Sequence, residues 1–380
     1  MTMFLVFWAL LAIFYTVLML AYGWGFRRVV QQYRLWTPSQ ARPMVTVLVP
    51  ARNEEANIGA CLKSILANDY PAEKLEIIVL NDESEDRTVA IVAEMQAQFP
   101  NIRLLNMPEN AERTRAHKKK ALEKGVLAAR GSIMMTTDAD CIVPRQWIQK
   151  MTGLFDEKTA FVSGPVVFRR GKTWFGSMQG PEFLALVAVG AASIGLNRPS
   201  LANGANVAYR RDVFLELKGY EGADHLTSGD DEMLLHKIAA TRWWTVRFCA
   251  DPQSVVVTDP MPNLNAFLQQ RRRWASKSGH YPSKAYVLML GALYLYFVTT
   301  LLGWIWAIFE PSLRVWALAF FGLKMLTEAT VWLPAWRLFG VFSWIWYYIP
   351  EQFLHVIYVV YVGVLALRGN YVWKGRQIER

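Results

Sequence analysis

Long uncharged runs at both ends of the chain enclose a segment of mixed polarity. Residues Met3 to Tyr22 carry no charge and are long enough to cross the roughly 30 Å hydrocarbon core of a bilayer as a helix. A second uncharged run extends from Ala285 to Phe309 and is rich in Leu, Tyr and Trp. This pattern predicts one globular domain held between membrane helices.

The mixed segment alternates short apolar, often β-branched runs with stretches that have the apolar spacing of helices. Alternation of this kind predicts an α/β fold with a mostly parallel, doubly wound (Rossmann-like) sheet. The predicted strands are Val45–Val49, Leu75–Leu80, Ile102–Leu105 and Ile133–Thr137, and the predicted helices are 54–67, 87–99 and 116–129.

Ligands of such sheets bind outside the carboxyl ends of the strands. In this chain those ends carry Arg52, Asn53, Asp82, Asp138 and Asp140. No strand is followed by G-x-G-x-x-G and the chain has no P-loop motif, so a bound diphosphate would need a metal or Lys and Arg side chains. Asp138 and Asp140 can share Mg²⁺ or Mn²⁺, which would bridge to phosphate oxygens. The alternative is a solvated Asp-x-Asp turn.

The C-terminal third contains two more apolar segments. Residues 313–335 include Lys324 and Glu328, which are spaced to pair on one helical face. Residues 338–367 are interrupted by Pro350, Glu351 and His355. If all three C-terminal segments crossed the membrane, the basic tail would lie outside, against the positive-inside rule. One of them is therefore expected in the interface, and Trp344 to Pro350 is the candidate.

Two apolar segments have alternative interpretations. Met3 to Tyr22 could be a cleaved signal peptide, but it has no basic n-region and is followed directly by Arg27 and Arg28. These arginines predict a membrane anchor with the following domain in the cytoplasm. Residues 183–196 are too short to span and too apolar for an exposed helix, so they are either a membrane-surface segment or a buried helix.

Composition and charge agree with a membrane location. The 380 residues are 53% hydrophobic and carry a net charge of +10, which suits an anionic leaflet better than nucleic acid because the charge adjoins the apolar runs. The cysteines, Cys61, Cys141 and Cys249, are odd in number and widely spaced, which fits a reducing compartment.

Five short motifs follow one another along the chain: Val49 to Glu55, Val79 to Thr88, Asp138-Ala139-Asp140, Gly229-Asp230-Asp231 and Gln270-Arg271-Arg272-Arg273-Trp274. In this order they resemble the motifs of the family 2 inverting glycosyltransferases with a GT-A fold. The similarity is to the integral-membrane branch, which includes ceramide glucosyltransferases and processive polysaccharide synthases, and it covers residues 42–285.

The resemblance implies a donor site for a nucleotide sugar, usually a uridine diphosphate sugar. It implies that Asp82 contacts the base, that Asp138 contacts the sugar and ribose, and that Asp140 holds the metal on the diphosphate. Lys118 corresponds to a phosphate-side or base-side lysine, although the chain departs from the family there with His117 in place of Gly. The loop that lines the base pocket would contribute Pro50, Arg52, Asn53 and Glu54.

A second departure is Glu83, at a position where the family more often has Gly.

The same resemblance implies which residues act on the acceptor side of the reaction. Asp231 would be the general base that takes the acceptor proton, and Asp230 would be a second catalytic carboxylate or only a helix cap. Arg273 would reach the diphosphate, while Gln270 and Trp274 complete the motif at the donor and acceptor. The remaining arginines of the motif, Arg271 and Arg272, are expected to contact lipid.

These expectations combine into a membrane-bound inverting glycosyltransferase with a lipid or lipid-linked acceptor. Its location would be a bacterial-type plasma membrane with the catalytic domain in the cytoplasm, and its oligomeric state is left open. A processive polysaccharide synthase and a non-catalytic membrane scaffold are the alternatives. The predicted parts are an anchor at 1–26, a GT-A domain at 40–260, an interfacial helix at 261–284, membrane or interfacial helices at 285–367, and a basic tail at 368–380.

Overall fold

The protein is described here by a computed structural model that covers residues 1–107, 117–222, 229–276, 281, 283–341, 344–366, 371–373 and 376–378. The chain divides into two compact units. The sheet unit comprises Arg28–Arg169 and Ser193–Asp259, and the helical unit comprises Met1–Arg27, Arg170–Ala192 and Pro260–Arg380. Residues 170–192, inside the predicted GT-A domain, thus group with the apolar helices.

A seven-stranded mixed sheet forms the centre of the sheet unit, with strand order β3-β2-β1-β4-β7-β5-β8. Strands β3, β2, β1 and β4 are parallel, whereas β7 runs antiparallel to both of its neighbours. The strands are β1 Val45–Ala51, β2 Leu75–Asn81, β3 Ile102–Asn106, β4 Ile133–Thr136, β5 Thr159–Ser163, β6 Val166–Phe168, β7 Val207–Arg210, β8 Thr245–Phe248 and β9 Val256–Thr258, of which β6 and β9 pair separately.

The predicted α/β class and mostly parallel sheet are confirmed. Each of the four predicted strands is present. The residues of β1, β2 and β4 are buried almost throughout, because β-branched or long apolar side chains fill both faces of the central sheet, whereas β3 lies at the sheet edge and is only partly buried. The helices of this unit are α2 Ile58–Leu66, α3 Thr88–Gln98, α4 His117–Ala128, α5 Trp147–Thr152, α7 Arg211–Glu216 and α8 Asp230–Ala240, while α1 Thr2–Arg34 and α6 Trp174–Gly195 each extend across the unit boundary.

The helix predicted from residue 54 begins at Ile58 instead, because the preceding residues form a loop tied to the next βα connection. Asn53 has a left-handed φ of 52°. The backbone N–H of Glu54 donates to Thr88 Oγ1 at 2.7 Å, and that of Glu55 donates to Asp86 Oδ2 at 3.0 Å. Side-chain acceptors therefore replace the first turn of the predicted helix.

Helices α4 and α8 share one hydrophobic cluster with the sheet. Leu122 and Val126 of α4 pack in it together with Leu234 of α8 and with Leu48 and Met134 of the central strands. This packing fixes the N-terminal turns of both helices, which carry the polar residues described below.

The helical unit contains most of α1 and α6 together with α9 Leu264–Ala275, α10 Lys284–Phe309, α11 Arg314–Phe339 and α12 Ile345–Ala366. Five helical segments among the described residues are long and apolar enough to cross a membrane: Thr2–Arg34, Trp174–Gly195, Lys284–Phe309, Pro311–Phe339 and Ile345–Leu365.

Two apolar segments with open interpretations are now placed on helices. Residues 183–196 belong almost entirely to α6, whose most apolar window is 83% buried, which favours the buried-helix alternative. Trp344 to Pro350 precede and begin α12, which continues through Pro350. Of the basic tail, Tyr371–Trp373 and Arg376–Ile378 form a small hairpin, β10 and β11, and Arg368, Lys374 and Arg380 lie outside the described residues.

Candidate active site

The loops that follow β1 and β2 bring together the residues predicted to line a base pocket. The guanidinium of Arg52 donates to the backbone oxygen of Asp82 at 2.8 Å, and the Asp82 N–H donates to the backbone oxygen of Ala51 at 2.9 Å. Asn53 Oδ1 accepts the N–H of Glu85 at 2.9 Å. The two loops are therefore held as one surface at the carboxyl edge of the sheet. Pro50 lies in β1 just before them, opposite Leu80.

Glu83 adopts a φ of 55°, a left-handed conformation that favours glycine. The departure from the family pattern at this position therefore keeps the turn but changes its side chain. Its carboxylate lies 3.4 Å from Arg52, which gives the side chain an ionic partner in the loop.

His117 lies beside a predicted site residue, in a position that the sequence did not predict. Its Nδ1 lies 3.8 Å from Asp82 Oδ1, at the first residue of α4. The only sequence signal was the departure from the family's Gly at this position, and that signal carried no information about the Asp82 contact.

Lys118 joins two of the predicted carboxylates. Its Nζ lies 2.8 Å from Asp138 Oδ1 and 3.7 Å from Asp230 Oδ2. Burial alone would lower the pKa of Lys118, but the carboxylates of Asp138, Asp230 and Asp231 outweigh it and raise that pKa above its ordinary value. A fixed positive charge therefore lies among three acidic groups at the edge of the sheet.

Asp230 and Asp231 begin α8 after Gly229, whose φ of 84° is left-handed. Asp230 is the first helical residue, and the cap is Gly229, so the helix-cap interpretation of Asp230 is wrong. Three carboxylates in the first turn are stabilised by the positive end of the helix dipole. This geometry orients Asp230 toward Lys118.

The Asp231 carboxylate is oriented by two backbone donors. Its Oδ2 accepts the N–H of Gly204 at 2.7 Å, and its Oδ1 accepts the N–H of Glu232 at 2.8 Å. Gly204 is itself held because its backbone oxygen accepts from Thr136 Oγ1 at 2.5 Å. This backbone contact between Gly204 and Asp231 has no signature in the sequence.

Asp138 and Asp140 supply carboxylate oxygens, the ligand type that Mg²⁺ and Mn²⁺ prefer. The Asp138 side chain is 41% exposed, so it is open to a ligand. Within the described residues, no set of three or more His, Cys, Asp or Glu side chains could hold a metal ion by itself. Mg²⁺ is commonly bound by one or two carboxylates together with substrate phosphates, so a pair of aspartates fits this role.

The neighbouring cysteine adds no ligand of the thiolate type. Burial and the carboxylates of Asp140 and Asp138 raise the pKa of the Cys141 thiol, which donates weakly to Asp140 Oδ1 at 3.5 Å. A buried neutral thiol is unreactive, so Cys141 serves as a packed side chain beside Asp140.

The Gln270–Trp274 motif lies on α9, in the helical unit. Gln270, Arg273 and Trp274 are spaced i, i+3 and i+4 and share a helical face. Arg271 does not contact lipid as expected, because its side chain is 4% exposed and forms an ion pair with Glu182. Arg272 is half-buried, and its Nε has no hydrogen-bond partner in the described part of the chain.

Comparisons with known proteins bear on this arrangement. Residues 46–217 match glycosyl transferase family 2, and residues 133–367 match glycosyl transferase family group 2. The chain is similar to the probable glycosyltransferase YdaM of Bacillus subtilis, with 30% identity over 239 residues that cover 61% of this chain and 54% of the relative. It is also similar to the beta-monoglucosyldiacylglycerol synthase of Synechocystis, with 31% identity over 117 residues that cover 31% of this chain and 24% of the relative.

The chain thus spans about half the length of the first of these relatives and a quarter of the second. In fold it is similar to a mannosyltransferase from Pyrobaculum calidifontis solved with GDP-Man and Mn²⁺, with a TM-score of 0.56 and 21% identity over 96% of this chain and 99% of that one. These findings confirm the fold and the family predicted from the motifs. The match to glycosyl transferase family group 2, over residues 133–367, covers more than half of the chain, so the chain belongs to this family.

Proposed function

We propose that this protein transfers a sugar, with inversion at the anomeric carbon, from a uridine diphosphate sugar to a hydroxyl of a lipid or lipid-linked acceptor. The observation that carries the proposal is the convergence of Lys118 with Asp138 and Asp230 beside the oriented carboxylate of Asp231. Such a cluster can hold an anionic donor on one side and accept a proton on the other.

In the proposed reaction Asp231 is the general base. The acceptor oxygen attacks the anomeric carbon, its proton passes to an Asp231 oxygen, and the bond to the diphosphate breaks with its electron pair on the leaving oxygen. The backbone N–H groups of Gly204 and Glu232 donate to different oxygens of the Asp231 carboxylate and so orient the base.

On the donor side, Asp82 with the Arg52 and Asn53 loop would hold the base, and Asp138 the sugar and ribose. Lys118 would hold the Asp138 carboxylate in place through their 2.8 Å contact. When bound at Asp140 and Asp138, Mg²⁺ or Mn²⁺ would neutralise the diphosphate and make it a better leaving group.

The roles of the α9 motif follow from the family pattern. Arg273 would stabilise charge on the departing diphosphate, because charge-assisted hydrogen bonds from a guanidinium strengthen as that charge develops. Trp274 would border the acceptor, and Gln270 would complete the donor side.

A lipid acceptor is favoured by two observations. Five of the described helices are long and apolar enough to cross a membrane, and a relative of the chain is named for its synthesis of a glucosyldiacylglycerol. Arg27 and Arg28 after the first apolar run favour a cytoplasmic catalytic domain, as expected for an enzyme of a bacterial-type plasma membrane that uses nucleotide sugars.

The proposal is tested with the full-length protein purified in detergent. UDP-glucose, UDP-galactose, UDP-N-acetylglucosamine and GDP-mannose are each offered with dioleoylglycerol, ceramide or polyprenyl phosphate, and products are identified by mass. A single glycolipid formed from a UDP-sugar, with inverted anomeric configuration, supports it. Long polymer products would favour the processive alternative instead, and the absence of any transfer from all donors would overturn the proposal.

A further inference from the structure

Within the helical unit, Arg271 of the Gln270–Trp274 motif forms a buried ion pair with Glu182. Arg271 donates through Nε to Glu182 Oε1 at 3.1 Å, and its terminal nitrogen contacts the other carboxylate oxygen. The two side chains are only 4% and 6% exposed. Glu182 lies on α6 and Arg271 on α9, so the pair joins two helices that are distant in sequence.

The pair has further partners on both sides. The hydroxyl of Tyr358, on α12, donates to Glu182 Oε1 at 2.6 Å. The Arg271 guanidinium lies 4.4 Å from the ring centroid of Phe267 and 4.3 Å from that of Trp274, and it also donates to the side-chain oxygen of Gln270. Arg271 therefore contacts two motif residues directly.

Stability alone does not account for these charges. Replacing a buried ion pair with apolar residues of similar size is often neutral or stabilising, whereas removing one partner leaves a buried charge uncompensated. The pair has a geometric effect that apolar packing would lack. A bidentate contact between Arg271 and Glu182 fixes the rotation of α9 about its own axis, and that rotation sets the direction in which Gln270, Arg273 and Trp274 point.

We propose that Glu182 and Tyr358 are positioning residues for the Gln270–Trp274 motif and that they act through Arg271. The inference rests on the proposed glycosyl transfer, in which Trp274 borders the acceptor. It adds two residues, from α6 and α12, to a motif that the sequence places on one helix.

The test separates positioning from stability with a paired substitution. Glu182→Gln alone should lower the melting temperature, because Arg271 is left without its carboxylate. The double variant Glu182→Gln/Arg271→Met removes both charges, and its melting temperature should return close to that of the wild type. Its KM for the lipid acceptor should nevertheless rise roughly 10-fold, because a small misplacement of a substrate-binding group such as Trp274 is costly.

A loss of folded protein would lower apparent turnover but leave both KM values unchanged, so the acceptor KM distinguishes the two roles. Wild-type KM values and wild-type turnover per folded molecule in the double variant would overturn the inference. Tyr358→Phe removes a single hydroxyl and provides the test if the double variant does not fold. A rise in its acceptor KM, smaller than that expected for the double variant, supports the inference, and an unchanged acceptor KM in folded protein contradicts it.

The matched control is Lys324→Met/Glu328→Gln, which removes another buried ion pair of the helical unit, 2.8 Å long, on α11. It should leave both KM values at the wild-type level. The assay uses the donors and acceptors of the panel described above. A wild-type protein without transfer activity would overturn the proposed function and with it this inference, whereas an active wild type with an unaffected double variant overturns the inference alone.

Discussion

Asp231 accepts the backbone N–H of Gly204 at 2.7 Å, so the candidate base is aligned by a residue that has no side chain of its own. A Cβ atom on residue 204 would lie 3.3 Å from Asp230 Oδ2, 3.5 Å from Asp231 Oδ2 and 3.6 Å from Lys118 Nζ. Gly204 therefore lets two carboxylates and an ammonium approach the same loop.

Gly204→Ala is expected to lower turnover several-fold with little change in stability, because the added methyl group crowds Asp230 and Asp231 without straining the backbone. Initial rates and melting temperatures of the purified variant check this. Gly59→Ala is a suitable control, because its Cβ would make an ordinary contact of 3.7 Å with Ile91. An active Gly204→Ala variant with wild-type kinetics would show that the loop tolerates a side chain.

Asp231→Asn should abolish transfer and leave donor binding measurable. Removing a general base typically costs about 10²- to 10⁴-fold in rate, whereas an Asn side chain can still accept a backbone N–H. Turnover is measured with the glycolipid assay, and nucleotide binding by calorimetry.

Asp212→Asn provides the matched control for Asp231. Asp212 also lies in the first turn of a helix and accepts the N–H of the next residue, Val213, at 2.9 Å. It should retain full activity. Preserved turnover in Asp231→Asn would remove Asp231 as the base.

Lys118→Met should weaken donor binding, because Asp138 and Asp230 would lose the cation between them and repel both each other and the diphosphate. We expect the donor KM to rise about 10-fold, equivalent to about 1.4 kcal/mol. Lys124→Met, an exposed lysine on the same helix, is the control and should behave as the wild type. Equal donor KM values for the two variants would argue against a donor-side role for Lys118.

Much of the sheet unit could be predicted from the sequence, because buried parallel strands have a strong local signature. Val45 to Val49 and Leu75 to Leu80 are apolar except at Thr46 and Glu76, and the structure pairs the two strands in register from Val45 with Leu75 to Ala51 with Asn81. The polar residues that follow the strands were predicted at one edge for the same reason. Contacts made through the backbone were not predictable, since the N–H of Gly204 has no signature in sequence.

The helical unit was less predictable because its important contacts join distant segments. Arg271 follows a glutamine and precedes two more arginines, a context that is typical of a membrane-flanking basic cluster. Its actual partner, Glu182, is 89 residues away in a segment whose apolar character dominates the pattern. Burial of a charge depends on its partner, and one sequence does not reveal which partner that is.

Chelation of divalent metal should stop transfer, and Mn²⁺ or Mg²⁺ should restore it. The reason is that the described site offers a carboxylate pair and no cluster of three ligands, so the diphosphate has to share the metal with Asp138 and Asp140. Asp140→Asn should raise the metal concentration needed for half-maximal rate, as measured by titration after treatment with EDTA. Full activity in EDTA would exclude a metal requirement.

The buried carboxylate of Glu76 should make the stability of the protein depend on acidic pH. It accepts hydrogen bonds from Thr46 Oγ1 at 2.7 Å, from the Arg130 N–H at 2.8 Å and from the Arg103 guanidinium at 2.6 Å. Burial by itself raises the pKa of Glu76, but these donors outweigh it and hold the pKa below its ordinary value of 4.5. The folded protein therefore binds this proton less readily than the unfolded chain does.

A carboxylate whose pKa is lowered by folding contributes stability that is fully present above about pH 4.5. This stability is lost as the pH falls through the pKa of the folded state. Glu76→Gln should thus destabilise the protein by about 1–3 kcal/mol at pH 7. The difference in melting temperature from the wild type should stay constant down to about pH 5 and narrow below it. The control is Glu73→Gln, at an exposed position nearby, whose melting temperature should equal that of the wild type at both neutral and acidic pH. If the difference in melting temperature between Glu76→Gln and the wild type stays undiminished in strong acid, the Glu76 carboxylate is not the source of this stability. Protonation of Glu76 would in that case not have destabilised the wild type.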